Sequence, residues 1–324
     1  MKAQPVIQVV GFSLFLLVDI LSFHAATAFA EVPGFEHALL GEYFSGLILA
    51  RIATYATITA ATVFAKRTFI PRVPCALAAT ACSLVGIGLI ALSFTRATPG
   101  ALFLCGIGLF GSAQGVMSLT WLATLTTYTY RGSYLYLIGC HALATALCAL
   151  TLFLPEALLL PTTVCALILA NASTITLPRT PREPNALAHH ASDVAPLLWR
   201  DIVAVGVFAF VSGFVTSLSR EGSPTLSAVN LQLATLLISS AVLVVMALPA
   251  LLLRQPLKLE SGYCVALPLS AIGFLVLPGL VDTIPPSLAG TFATTGYMLT
   301  GIVLYCTIDE LAKTARVPAL PLLS

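Results

Sequence analysis

The chain has 324 residues, of which 58% are hydrophobic and only 9% are charged, whereas soluble domains carry roughly 25% charged residues. Its mean hydropathy is +1.00 and its formal net charge only +2. This excludes a soluble globular domain and a basic nucleic-acid-binding surface, and it places the chain among polytopic membrane proteins.

A helix crossing the bilayer needs about 20 largely apolar residues. Ten such stretches follow one another, roughly 6–29, 45–65, 74–95, 101–127, 133–154, 157–177, 202–219, 228–253, 262–281 and 286–308. Helices are expected throughout, since the runs are about twice as long as a barrel strand and lack its in-out alternation. The expected fold is therefore all-α, a polytopic bundle of about ten transmembrane helices.

Span one contains the stretch LFLLVDILSFHAAT, with Asp19 and His24 in an apolar run. An intramembrane charge costs at least ~2.5 kcal/mol even on lenient insertion scales, so it normally faces a partner or a wet cavity. Asp19 lies about 13 residues into its span, near mid-membrane at about 1.5 Å per residue. Arg51 lies about six residues into span two, within roughly one helical turn of the same depth. The two are expected to pair. His24, five residues beyond Asp19, falls about 140° around a regular helix, off the Asp19 face. It is expected near the outer mouth. Ala28 and Ala30 before Glu31 resemble a signal-peptidase site, but the preceding run is longer than a signal core, and an uncleaved first helix is the expectation.

Span two carries a polar stripe, because Arg51, Tyr55 and Thr62 fall within about 40° of one another, with Thr54 flanking. Span four contains GIGLFGSAQG, in which Gly106, Gly108 and Gly111 match the dinucleotide fingerprint GxGxxG. That chemistry requires a preceding strand and a helix N-terminus, and an apolar helix supplies neither. Gly111 and Gly115 instead form a GxxxG pair, which strips side-chain bulk from one face and admits a neighbouring helix. Gln114, Ser118 and Trp121 form a second polar stripe on this span. Tyr134, His141, Thr145 and Cys148 form a third on span five. The expectation is a shared cavity between helices one, two, four and five, bounded by Asp19, His24, Arg51, Tyr55, Gln114, Trp121 and His141.

Span six holds the sequon NAS at Asn171, out of a glycosylating enzyme's reach inside the bilayer. The hydrophilic segment LPRTPREPNALAHHASDVAPLLWRD then reads as a cytoplasmic linker. The expected organisation is an N-terminal six-helix half over 1–178, a linker over 179–200 and an incomplete second half of about four helices over 201–324. In the second half the spans are plainer, with Ser212, Thr216 and Ser219 in span seven and Asn230 and Gln232 opening span eight. No intramembrane charge is expected there, and Asp309 and Glu310, at the inner end of span ten beside Lys313, read as solvated surface.

Lys and Arg are retained in short cytoplasmic loops. With the N-terminus inside, Lys2, Lys66, Arg67, Arg72, Arg131, Arg179, Arg182, Arg200, Arg254, Lys258, Lys313 and Arg316 fall on the cytoplasmic side, and only Arg96 and Arg220 fall outside. Twelve against two sets the expected orientation in a bacterial inner membrane. The eight cysteines sit within or at the ends of spans without a CxxC pair, as small soft packing side chains rather than disulfides. No HExxH, no GxSxG and no paired intramembrane aspartates occur, and His189 and His190 lack metal-ligating neighbours. The chain is expected to be no enzyme, with no cofactor and no metal.

The layout, with GSAQGVMSLTWLATLTTY and GYMLTGIVLYCTIDELAK, resembles the membrane region of bacterial LuxR-type transcriptional regulators. The resemblance implies a major-facilitator-like bundle that senses a small molecule and, in the family, a C-terminal helix-turn-helix that binds DNA. Here only a dozen residues follow Ala312, so the last two helices and the helix-turn-helix are expected to be absent, the bundle to be a truncated 6 + 4, and the chain to make no direct nucleic-acid contact. The implied partners are the lipid bilayer, a small organic ligand or solute, and a further copy of the chain in a homo-oligomer. The other function the layout allows is a major-facilitator-type secondary transporter of a small organic solute, in which Asp19 or His24 couples proton movement to uptake. The loop AKRTFIPRV after span two keeps that superfamily's basic residues but lacks its glycine and aspartate.

Overall fold

The computed structural model describes residues 4–24, 29, 40–64, 71–94, 100–151, 153–177, 228–252, 268, 271 and 286–315. Among them there are eight α-helices and no strand. They are α1 (Gln4–Asp19), α2 (Leu40–Phe64), α3 (Arg72–Ser93), α4 (Gly100–Leu122), α5 (Tyr130–Thr151), α6 (Leu159–Ile175), α7 (Ala228–Leu252) and α8 (Pro286–Ala315). They correspond to spans one to six, eight and ten. Span seven and nearly all of span nine lie outside the described residues, as does the linker 179–200.

Four of these helices contain stretches long and apolar enough to cross a membrane, Glu42–Ala61, Arg72–Ser93, Gly100–Thr127 and Tyr130–Thr151. Their outward residues are what a lipid solvent selects. Leu49, Ile52, Leu77, Val85, Leu104 and Leu150 are all exposed, an arrangement that water would penalise and acyl chains do not. This is a multi-pass membrane protein.

The chain divides into two compact units. The first comprises Met1–Thr127, Phe153–Ala188 and Pro318–Ser324, and so contains α1 to α4 and α6; the second comprises Tyr128–Leu152 and His189–Val317, and contains α5, α7 and α8. In the first unit α4 is central, burying Phe103, Ile107, Phe110, Met117, Leu119 and Trp121.

Close approach to α4 is set by glycine on two of its faces. A Cβ on Gly106 would lie 2.8 Å from the Gly86 carbonyl oxygen of α3, and one on Gly86 would lie 2.8 Å from the Gly106 oxygen and the Phe110 nitrogen. Backbone meets backbone there, and any side chain would wedge the helices apart. On another face, a Cβ on Gly111 would meet Ala50 Cβ at 2.8 Å, and one on Gly115 would meet Thr54 at 3.3 Å, both on α2. Gly108 has nothing within 4 Å. The three glycines of the fingerprint thus serve different surroundings within one helix. Between α3 and α6, Asn171 Nδ2 donates to Thr80 Oγ1 at 2.9 Å, so the sequon asparagine is a buried interhelical link.

In the second unit, Tyr134 donates from α5 to the Met246 carbonyl of α7 at 3.2 Å. Pro249, three residues further along α7, removes a backbone donor from that helix. Ser239 and Thr295 join α7 to α8 at 3.0 Å. The seven cysteines among the described residues are free thiols.

Candidate functional site

Three side-chain links close a circuit through α1, α2 and α4. The first is an ion pair, in which Arg51 of α2 donates from Nη2 to Asp19 Oδ1 of α1. Their side chains are 16% and 17% exposed, so both charges are largely withdrawn from solvent and each answers the other's desolvation. One helical turn further along α2, Tyr55 meets Ser118 of α4, Oη to Oγ at 2.7 Å. Ser118 also donates to the Gly115 carbonyl at 2.9 Å. A hydroxyl has one proton, so the direction is fixed: Tyr55 O–H donates to Ser118, whose own proton goes to the backbone. The third link is aromatic. Trp121, one turn beyond Ser118, stacks on Phe12 of α1 with centroids 5.5 Å apart, and Phe12 lies two turns before Asp19.

On α4, Gln114 Oε1 and Trp121 Nε1 are buried polar atoms with no hydrogen-bond partner among the described residues. Gln114 is 2% exposed and Trp121 is fully buried. A buried donor or acceptor left unpaired costs about 1–3 kcal/mol. One acceptor and one donor, two turns apart on the same face of α4, are what a polar solute held between these helices would satisfy.

The other stripe residues are chemically quieter. Thr54 Oγ1 donates to the Ala50 carbonyl of its own helix at 2.8 Å, and the side chain of Thr62 lies outside the described residues. His141 Nδ1 contacts the Leu137 carbonyl at 2.8 Å, within α5, and belongs to the second unit. Beyond Asp19 the backbone winds as a π-helix from Ile20 to His24. The 140° separation reckoned for a regular α-helix therefore does not carry over to His24, whose side chain lies outside the description. Such π-turns cluster at functional sites.

Asp309 overturns its sequence reading. It is fully buried, not solvated, because α8 continues to Ala315, about two turns past the expected end of its span, and carries Lys313 back over the carboxylate. The neighbouring Glu310 is exposed. Sequence periodicity could have flagged the i, i+4 spacing of Asp309 and Lys313, but not the helix that covers them.

No protein-family model matches the chain, and no curated protein matches it in sequence. Among solved structures, it is similar to the crystal structure of the nucleoside transporter NupG, with a TM-score of 0.51 at 16% identity, over 100% of this chain and 86% of that one. The fold is major-facilitator-like. At this identity the likeness carries the architecture, an all-α helical bundle, and assigns neither the chain nor any residue a role.

Proposed function

We propose that the chain is a secondary transporter of a small organic solute, oriented in a bacterial inner membrane with its N-terminus cytoplasmic. The observation that carries this is the Asp19–Arg51 pair inside the membrane unit, together with the unpartnered Gln114 Oε1 and Trp121 Nε1 of α4. Intramembrane ionisable groups mark solute and proton paths, and transporters bind near the midplane between helices. In this reading Gln114 and Trp121 bind the solute, Tyr55 sets the polar wall through Ser118, and Asp19 exchanges its partner Arg51 for a proton during transport. The chain acts without catalysis or cofactor.

The transport reading is tested in proteoliposomes under an imposed inward proton gradient. Nucleosides, the class named for the structural neighbour, are the first labelled solutes to try. Gradient-driven accumulation is expected, and Asp19→Asn should abolish it while solute binding persists. Saturable binding with no uptake or counterflow would overturn transport. It would favour the sensing role implied by the resemblance to LuxR-type regulators.

A further inference from the structure

The second unit holds a polar cluster outside the proposed solute site. Asp309 Oδ2 accepts from Ser133 Oγ of α5 at 3.1 Å and from Lys313 Nζ at 2.5 Å. Lys313 also donates to the Tyr128 carbonyl in the turn before α5. Asp309 Oδ1 is buried with no partner.

The imbalance within the carboxylate is informative. An ionised carboxylate presents about four lone-pair sites on two equivalent oxygens, yet both donors reach Oδ2. An ammonium tethered by its own helix, four residues along, serves one oxygen and leaves the other bare. A hard metal cation can engage both oxygens of a carboxylate and takes hydroxyl and carbonyl oxygens as further ligands. Asp309, Ser133 Oγ and the Tyr128 carbonyl supply such an oxygen set. Charge selects the valence. A single carboxylate is neutralised by one positive charge, so a monovalent ion replaces the lost ammonium, whereas a divalent ion would leave an uncompensated buried charge. The Lys313 side chain is 31% exposed, so it has a route to solvent and water has a route to the remaining coordination positions.

We propose that Asp309, Ser133 and the Tyr128 carbonyl form a seat for a monovalent metal cation, held in this conformation by the tethered ammonium of Lys313. Binding expels Lys313 into solvent and breaks its bond to the Tyr128 carbonyl. That unties the last turn of α8 from the turn leading into α5.

The test uses the full chain in detergent micelles, in sodium chloride or choline chloride at equal ionic strength. Lys313 is modified with an amine-reactive ester and quantified by peptide mass spectrometry. Sodium should raise modification of Lys313 several-fold in the wild type. In Asp309→Asn, modification should be high in both salts, because ligand and tether are lost together. Potassium and lithium arms rank the ion. Equal modification of the wild type in all salts overturns the proposal, as does a sodium effect that survives Asp309→Asn. Lys313→Met gives a second reading, since sodium should raise its melting temperature relative to choline and leave the wild type little changed. A folded Lys313→Met that melts identically in both salts also overturns the seat. Should that variant fail to fold, the wild-type modification decides alone.

Discussion

Neutralising both Asp19 and Arg51 should cost no more than neutralising either one alone. Asp19→Asn leaves the Arg51 guanidinium among α1, α2 and α4 without its counter-charge, and Arg51→Gln leaves the carboxylate. Breaking a fully buried pair costs about 3–5 kcal/mol, while an unpaired charge at mid-membrane costs at least ~2.5 kcal/mol. With side chains 16% and 17% exposed, neither charge is fully buried, and each single variant is expected to lose roughly 2–3 kcal/mol, at or just under the low end of those figures. The double variant leaves neither charge behind to be buried without its counter-charge. It should lose about as much as one single variant, a coupling of roughly 2 kcal/mol within the range for contacting residues. Thermal unfolding in detergent followed by tryptophan fluorescence reads this as a fall of roughly 5 °C for each single variant, scaling from ~2 °C per kcal/mol. A double variant that loses the sum of the two singles would refute the reasoning, because the charges would then be solvated independently.

The glycines of α4 should separate cleanly. Gly106→Ala places a methyl 2.8 Å from the Gly86 oxygen and should destabilise by about 1–3 kcal/mol, whereas Gly108→Ala, with open space around it, should melt within about 1 °C of wild type, near-neutral as surface substitutions usually are. Trp121→Phe keeps the ring stack on Phe12 and removes the unpartnered N–H. Its melting temperature should be unchanged or higher, while solute affinity in equilibrium binding falls up to about tenfold, one hydrogen bond's worth; unchanged affinity would remove Nε1 from the site. Asn171→Ala deletes the link to Thr80 and should lower stability by roughly 0.6 kcal/mol, up to about 1.7, the span measured for interhelical polar contacts in membranes. A variant as stable as wild type would show that link to be dispensable.

Much of the architecture is legible in the sequence because lipid imposes so few solutions. A run of about 20 apolar residues in a bilayer is a helix, and α1 to α8 fall where such runs fall. Depth arithmetic on two neighbouring helices sets Asp19 opposite Arg51 within a turn, and their side chains meet. What stays hidden depends on pairing between distant segments. Nothing local in span three shows that Gly86 lies against the Gly106 backbone, or that Ser118 takes the proton of Tyr55 rather than another stripe residue. The π-turn after Asp19 departs from the 3.6-residue period that all angular reasoning assumes. Asp309 was misread for the same reason. One of its hydrogen-bond partners, Ser133, lies 176 positions away in the chain.

The threonines of α2, the least apolar of the four long spans, have a further consequence. Thr54, Thr57 and Thr59 each donate to the carbonyl four residues back, so none of these protons is offered to the surroundings. To the translocon that inserts it, this helix is greasier than its letters suggest: a threonine whose proton is already spent behaves more like a valine, and residue-by-residue transfer scales overstate the penalty of its insertion.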